Sequence, residues 1–275
     1  MTDLTSPPLP DLATLGRRFG VNLSSAQVDQ FAAYSRLLLD WNERVNLTAI
    51  TDPAEVIVKH FLDSLACLSL LLPAHQADRP VRLLDVGSGA GFPGLPLKIA
   101  RPEIVLTLLD SVGKKTAFLE HAASELGLAD VEVLTGRAEE VGVHPRYRET
   151  FDVVTSRAVA ELAVLVELCL PCLRVGGLMI AQKKAGIEDE LRAAGRAVQV
   201  LGGRLRPVIE YELPGAPDPR WLIAIEKVAP TSARYPRRVG VPAKKPLCPS
   251  VNASCSASFI PTCSSSLPRL VLRRG

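Results

Sequence analysis

The chain has no apolar run long enough to cross a bilayer. Its longest, residues 65–74, is about ten residues and is interrupted by Ser69 and Pro73, where a spanning helix needs about 20. The N-terminal MTDLTSPPLP has no basic stretch followed by an apolar one, so no export signal is read there. Six cysteines in 275 residues are too few for a disulfide scaffold, and a chain that is not exported stays in a reducing compartment. A cytoplasmic protein with no membrane contact is expected. Histidine is scarce as well: His60, His75, His121 and His144 fall at no metal or triad spacing. Cys169-Leu170-Pro171-Cys172 has redox or zinc spacing, but no second pair stands at zinc distance, so it reads as a buried structural pair. No metal is expected. From Lys227 to Gly275 there is no acidic residue at all. Nine of the 32 basic residues lie there, so residues 1–226 hold the other 23 against all 29 acids, a balance of −6. A basic end on an acidic body fits a polyanionic partner, or else a solubilising tail.

What is present is a chain that can build a core. Apolar residues make up 47% and mean hydropathy is +0.19, which excludes wholesale disorder. Residues 10–75 read as helical. Ser24 or Ser25 caps a helix with Val28, Phe31, Leu38 and Trp41 near a 3.6 period. Residues 42–51 read as a turn, and Pro53 opens a helix that ends before Pro73. Residues 74–80 form a polar connector. From Val81 the pattern changes to strand-helix alternation. Strands are expected at 81–86, 104–110, 131–135, 151–156 and 177–182, with helices at 114–126, 161–173 and 187–201. That alternation implies an α/β fold, a parallel sheet covered by helices on both faces. The segments 207–213 and 220–228 then read as an antiparallel pair. A mainly parallel sheet closed by such a pair is the Rossmann-like methyltransferase arrangement, whereas dinucleotide folds continue with parallel units. The expected organisation is an N-terminal helical region (1–78), a Rossmann-like domain (79–230), a basic arm (231–248) and a disordered, serine-rich tail (249–275).

The motif with most chemistry is Asp85-Val86-Gly87-Ser88-Gly89-Ala90-Gly91-Phe92-Pro93-Gly94. It follows an expected strand and opens a helix, the context a nucleotide loop needs. Its glycines let the backbone approach a ligand, and the helix start offers free N–H groups. Phe92 stands where a dinucleotide loop has its third glycine. The D-x-G-x-G-x-G form is similar to the S-adenosylmethionine loop of class I methyltransferases, where the acid, here Asp85, lies beside the ligand's amino group largely through water. Asp110 ends the second strand, and an acid there accepts bonds from both ribose hydroxyls. The same acid would serve NAD, or cap the helix beginning near Gly113. The Gly136–Glu139 segment follows the third strand, where backbone groups and an acid read the adenine edge. A solvated acid is the alternative.

Together, VGSGAGFPGLPLKIARPE, LLDSVGKKTAFL, GRAEE, FDVVTSRAVAEL, WNERVNLTAIT, KHFLDSL and YPRRVGVPAKKPL resemble the bacterial family of small-subunit ribosomal RNA methyltransferase G, also called glucose-inhibited division protein B. The resemblance covers about residues 10–247 and stops before the tail. It implies a class I S-adenosylmethionine-dependent fold and methyl transfer to N7 of one guanosine in 16S ribosomal RNA, as naked RNA or in a small-subunit particle, by an enzyme expected to be monomeric. On matching positions it implies cofactor contacts at Asp85, Gly87, Ser88, Gly89, Phe92, Asp110, Ser111, Ala138, Glu139 and Arg157.

RNA contacts are expected at His60, Lys183, Lys184, Arg237, Arg238, Lys244 and Lys245. For His60 the more ordinary role is a helix-surface or half-buried imidazole, and for the lysines and arginines a solvated surface is an equal alternative. Guanine N7 carries no proton, which fits a sequence without an evident acid-base pair. A methyltransferase acting on a small molecule or protein, and an NAD-dependent oxidoreductase, are the competing readings. The basic end opposes the first, and Phe92 with the antiparallel pair opposes the second.

Overall fold

Apolar residues alternate along the central strands so that each strand presents a covered row to both faces. In the computed structural model, which describes residues 11–71, 79–157, 159–184, 186–216 and 218–247, these rows build one eight-stranded sheet. Its strands are β1 (Arg82–Val86), β2 (Val105–Asp110), β3 (Val131–Thr135), β4 (Phe151–Arg157), β5 (Leu173–Lys184), β6 (Gly203–Leu205), β7 (Ile209–Tyr211) and β8 (Arg220–Lys227). The order is β3-β2-β1-β4-β5-β8-β6, with β7 also on β8. β3, β2, β1, β4 and β5 are parallel, and β8 runs antiparallel to β5, β6 and β7. The chain therefore winds outward from β1 to β3, then returns to β4 on the other side of β1. The carboxyl ends of β1 and β4 border the point where winding reverses, which is where open α/β sheets place ligands.

β6 was not expected from the sequence. It and β7 lie end to end along β8: Leu205 pairs with Ile225 and Ile209 with Leu222. Three residues, 206–208, thus face two, which is a bulge. Pro207 sits in it, where no ladder N–H is needed. β5 is longer than expected at both ends and takes in Leu173, which had read as the end of a helix.

One face of the sheet packs on α6 (Gly94–Ala100), α7 (Gly113–Glu125) and the N-terminal helices. Leu83, Leu106, Leu108 and Val153 meet Phe31, Tyr34, Phe61, Leu65, Leu95 and Phe118 there in one core. The N-terminal region is thus not a separate globule. Its long helix α2 (Ser25–Val45) starts from a capping box, Ser24 with Gln27, whose mutual bonds satisfy two otherwise open N–H groups. α2 continues to Val45, past the expected turn at Asn42, and stops at Asn46, whose φ is +28°. Gln27 also donates to the carbonyls of Ile99 (2.8 Å) and Ala100 (3.2 Å), and Gln30 to that of Leu126 (2.9 Å), closing the C-terminal ends of α6 and α7. After α1 (Leu12–Arg17) and α2 come α3 (Pro53–Val56), a π-helical stretch Ile57–Leu62, α4 (Asp63–Leu65) and α5 (Leu68–Leu71). The expected end before Pro73 and most of the 74–80 connector lie outside the described residues.

The other face packs on α8 (Ala138–Val141), α9 (Leu162–Cys169) and α10 (Ile187–Val200), with Leu84, Val86, Val154 and Met179 in its core. Cys169 and Cys172 are fully buried there as free thiols, and burial pushes Cys172 up to about 12. The segment expected as an extended basic arm is folded onto this face. Tyr235 and Pro236 are buried, a short helix α11 (Val241–Lys244) follows, and Arg148 donates to the carbonyls of Thr231 (2.8 Å) and Tyr235 (2.8 Å). The serine-rich tail at 249–275 lies outside the described residues.

Candidate functional site

The loop between β1 and α6 is stitched onto the end of β2. Gly87 and Ser88 donate backbone N–H groups to the Leu109 carbonyl (2.8 and 3.0 Å), and the Ser88 hydroxyl accepts from Leu109 N–H (3.1 Å). From the other side, the buried Tyr34 hydroxyl of α2 donates to the Ala90 carbonyl. Gly91 lies directly beneath, at φ +95°. A Cβ there would stand 2.5 Å from Leu95 Cδ1 and 2.6 Å from the Tyr34 oxygen, so only glycine fits. Gly89, at φ +58°, is different: an added Cβ would meet only the Gly87 carbonyl oxygen, at 3.9 Å.

That open space belongs to a cavity of about 470 Å³ at the carboxyl edge of the sheet, within the usual range for small-ligand sites. Gly87, Ser88, Gly89, Phe92, Asp110, Ser111, Ala138, Glu139, Arg157 and His60 all line it. The sheet order spreads them out. Asp110, Ser111 and the 136–139 segment stand at the β2–β3 end. Phe92, Arg157 and His60 stand at the β1–β4 end. Val112 and Val159 are exposed (44% and 41%) on the same walls, apolar surfaces of the kind that line small-ligand sites.

Asp110 accepts the Gly89 N–H on one carboxylate oxygen (2.9 Å) and the Val112 N–H on the other (2.9 Å). Each oxygen keeps a lone pair for a ligand donor. Glu139 lines the cavity too, but its carboxylate accepts from Gly240 N–H (2.9 Å) and lies 3.7 Å from Arg137 Nε. It fastens the C-terminal segment to α8.

Asp85 is the expected cofactor residue that the cavity does not contain. It is fully buried beneath the loop, where its oxygens accept from Gly94 N–H (3.1 Å) at the start of α6 and from the Thr155 hydroxyl (3.0 Å) of β4. Burial pushes it up to about 6, against those hydrogen bonds and the Arg157 charge. There it holds loop, helix and strand together.

At the β1–β4 end the polar groups form one connected network. Arg157 Nη1 donates to Asp63 (3.1 Å) and to the Lys59 carbonyl (3.3 Å), and its Nη2 lies 3.2 Å from His60 Nδ1. The guanidinium also lies over Phe92, 4.7 Å from the ring centroid, and the His60 ring stacks on Phe92 at 4.5 Å. Asp63 accepts from the Tyr211 hydroxyl as well (2.7 Å). His60 Nε2 lies 2.8 Å from the Thr48 hydroxyl. Burial first, and the Arg157 charge second, lower His60 to about 3. Arg157 is thus fixed in place by partners on the π-helical stretch and α4.

The expected RNA-contact residues divide. Arg238, Lys184, Lys244 and Lys245 are exposed, outside the cavity. Lys183 is paired with Glu190 (2.8 Å) and donates to the Ala160 carbonyl (2.6 Å). Arg237 is committed to Glu167: its Nη2 lies 2.6 Å from one carboxylate oxygen and its Nε 2.8 Å from the other, which also accepts the Arg237 N–H. Glu167 is fully buried, so this contact belongs to the fold. Thr48, Lys115 and Arg137 line the cavity and were not singled out from the sequence. Thr48 falls in the NLTAI segment that carried the resemblance, and that was the one available signal for it. Among the described residues, no group of three or more His, Cys, Asp or Glu is placed to hold a metal ion, and no helix is long and apolar enough to cross a membrane.

A family model described as GidB, rRNA small subunit methyltransferase G, matches residues 27–212. The chain is 53% identical over 236 residues to the ribosomal RNA small subunit methyltransferase G of Roseiflexus sp. (strain RS-1), covering 86% of this chain and 98% of that one. It is 51% identical over 228 residues to the protein of the same name from Dehalococcoides mccartyi (strain CBDB1), covering 83% and 95%. Among solved structures it is similar to TrmN from Thermus thermophilus, at 21% identity over 62% of this chain and 53% of that one, with a TM-score of 0.46.

Proposed function

The chain belongs to the family of small-subunit ribosomal RNA methyltransferase G, and from that premise we propose that it transfers a methyl group from S-adenosylmethionine to N7 of a guanosine in 16S ribosomal RNA. The observation that carries this reading is the cavity at the reversal of the sheet, with the glycine loop as its floor and Asp110 at one end. The residues present fit the cofactor. Gly89 leaves room that a Cβ would fill, and Asp110 keeps acceptor capacity for the ribose hydroxyls. Ser111 and the backbone of 136–139 line the adenosine end, and Arg157 and Phe92 the other. When bound, S-adenosylmethionine supplies a methyl group activated on a sulfonium.

The protein's part is placement. Guanine N7 presents a lone pair and no proton, so no side chain has to remove one. His60 accords with that: held near 3 by burial and Arg157, it is a poor base and stays uncharged at neutral pH. Positive charge moves from the sulfonium to the base while net charge stays constant. The gain therefore comes from orienting the base and excluding water. Exposed Arg238, Lys184, Lys244 and Lys245 are proposed phosphate contacts. The same reading makes the protein a cytoplasmic monomer acting on the small-subunit RNA, free or in a particle. The test is to map 7-methylguanosine in small-subunit RNA from cells with and without this protein, and in nucleoside digests after transfer in vitro. Label in 7-methylguanosine is expected. Label in another nucleoside overturns the reading.

A further inference from the structure

We propose that Thr48 selects the methyl-acceptor base, donating its hydroxyl hydrogen to O6 of guanine at the end of the cavity formed by Thr48, His60 and Arg157. The proposal rests on the guanine-N7 reading above.

It follows from donor and acceptor bookkeeping along one chain of groups. Arginine has hydrogens to donate and no lone pair to accept with. His60 Nδ1 lies 3.2 Å from Arg157 Nη2, and the Lys59 carbonyl, the other polar group beside the ring, is taken by Arg157 Nη1 at 3.3 Å, so Nδ1 is assigned as the acceptor and the ring proton to Nε2. That Nε2–H then points at Thr48 Oγ1, 2.8 Å away. The Ile50 N–H donates to the same oxygen at 3.0 Å. A hydroxyl oxygen has two lone pairs, and both are now used. The hydroxyl can only donate, and no acceptor among the described residues takes its hydrogen. Thr48 lines the cavity, so the hydrogen is available to a molecule inside it. The residue is also held in place: Asn42 Oδ1 accepts the N–H groups of Leu47 (2.7 Å) and Thr48 (2.9 Å), fixing the turn after α2.

The location identifies the partner. Asp110 and the 136–139 segment occupy the opposite end, which the cofactor's adenosine would take. Arg157 and Phe92 at the other end would border the methyl-bearing part of the cofactor, and Thr48, beside them in the same cavity, would face the base that receives the methyl. The edge of guanine that carries N7 presents two acceptors, N7 and O6. The same edge of adenine presents N7 beside an amino donor. A hydroxyl whose polarity is locked as donor matches O6 and opposes the adenine amino group. Arg157 acts on this choice through His60, as a positioning residue.

The test is a cycle between protein and substrate. Single-turnover transfer is measured with wild-type, Thr48→Val and Thr48→Ser protein. The substrate is small-subunit RNA with guanine, or with 2-aminopurine (a purine with N7 but without O6), at the mapped position. Thr48→Val is expected to slow transfer to guanine about 10–100-fold, and Thr48→Ser less than about threefold. If Thr48 touches O6, the factor lost on removing O6 should be smaller for Thr48→Val than for wild type by about the same 10–100-fold. A merely structural role would give independent, multiplying losses. S-adenosylhomocysteine affinity should be unchanged in both variants. Independent of any variant, nitrogen-15 NMR of the wild-type protein should show His60 protonated on Nε2. Multiplying losses with 7-methylguanosine still formed, or a proton on Nδ1, overturn the Thr48 proposal and leave the methyl-transfer reading standing. Absence of 7-methylguanosine from the wild-type product overturns both.

Discussion

Arg237→Ala should destabilise the protein far more than any loss of RNA contact would suggest. Glu167 has no exposed surface, and Arg237 supplies both charged partners of its carboxylate. Removing the guanidinium leaves a buried charge with one remaining backbone donor. Breaking such a pair costs about 3–5 kcal/mol. The Arg237 side chain is 25% exposed, so water can refill part of the gap, and we expect about 3 kcal/mol. For a chain of this size that is a fall in Tm of about 6–12 °C. Urea unfolding in low and high salt gives the value, and the loss should persist in 1 M salt on the order of its low-salt size, because a buried pair is poorly screened. Adding Glu167→Gln to Arg237→Ala should recover about 1–2 kcal/mol by removing the stranded charge. Arg238→Ala, at an exposed neighbour, should leave stability within about 0.5 kcal/mol and lower RNA affinity instead. A loss under about 1 kcal/mol for Arg237→Ala, or no recovery in the double variant, would refute the reasoning.

Gly89→Ala should weaken S-adenosylhomocysteine binding at least about tenfold while costing about 1–2 kcal/mol of stability, because its φ is +58° and its Cβ direction is open; calorimetry showing unchanged affinity would remove the loop from the site. Methyl-transfer rate in a single turnover should be nearly flat between about pH 6 and 8.5, since His60 titrates near 3, and a tenfold rise per pH unit would mean a general base is at work. Folding stability carries two opposed pH dependences. His60 falls from its ordinary 6.5 to about 3 in the fold, so its contribution is intact above 6.5 and is lost as pH drops toward 3. Asp85 rises from 3.8 to about 6, so its contribution is full below 3.8 and is lost as pH rises toward 6. The slopes oppose each other between about pH 4 and 6. In Asp85→Asn, stability should climb with pH through that window by up to about 1.4 kcal/mol per unit more than in wild type; equal slopes in urea titrations would contradict the Asp85 assignment.

The legible part of this fold was the part written locally. Strands β1 to β4 were placed within a residue or so of their observed bounds, because each is a short β-branched or leucine-rich run, and the first three are closed by Gly87, Asp110 and Gly136. A cap at Ser24 or Ser25 was legible, and the structure chooses Ser24; Pro53 was legible as a helix start. β6 was not, since three residues containing Gly203 and Arg204 carry no alternation. It exists because β8 offers an edge to pair with. The turn at Asn42 was misplaced because Asn42 looks like a breaker. In the structure its side chain serves the turn from inside the helix, through the N–H groups of Leu47 and Thr48.

The site shows the same division more sharply. The glycine spacing located the loop that borders the cavity, and nine of the ten expected cofactor residues line it. What no local pattern could show is which charges the fold itself consumes. Arg237 meets Glu167 across 70 residues, Glu139 meets Gly240 across 101, and Asp85 meets Thr155 across 70. An arginine in a basic segment and a carboxylate beside a glycine loop look functional in sequence whether or not a distant partner has claimed them. The converse holds for Thr48. A threonine names no chemistry by its type, and two donors at 2.8 and 3.0 Å on its oxygen are what turn it into an obligate donor. In a reaction that needs no proton removed, selectivity has to come from groups of that kind, whose polarity is fixed by neighbours before the substrate arrives.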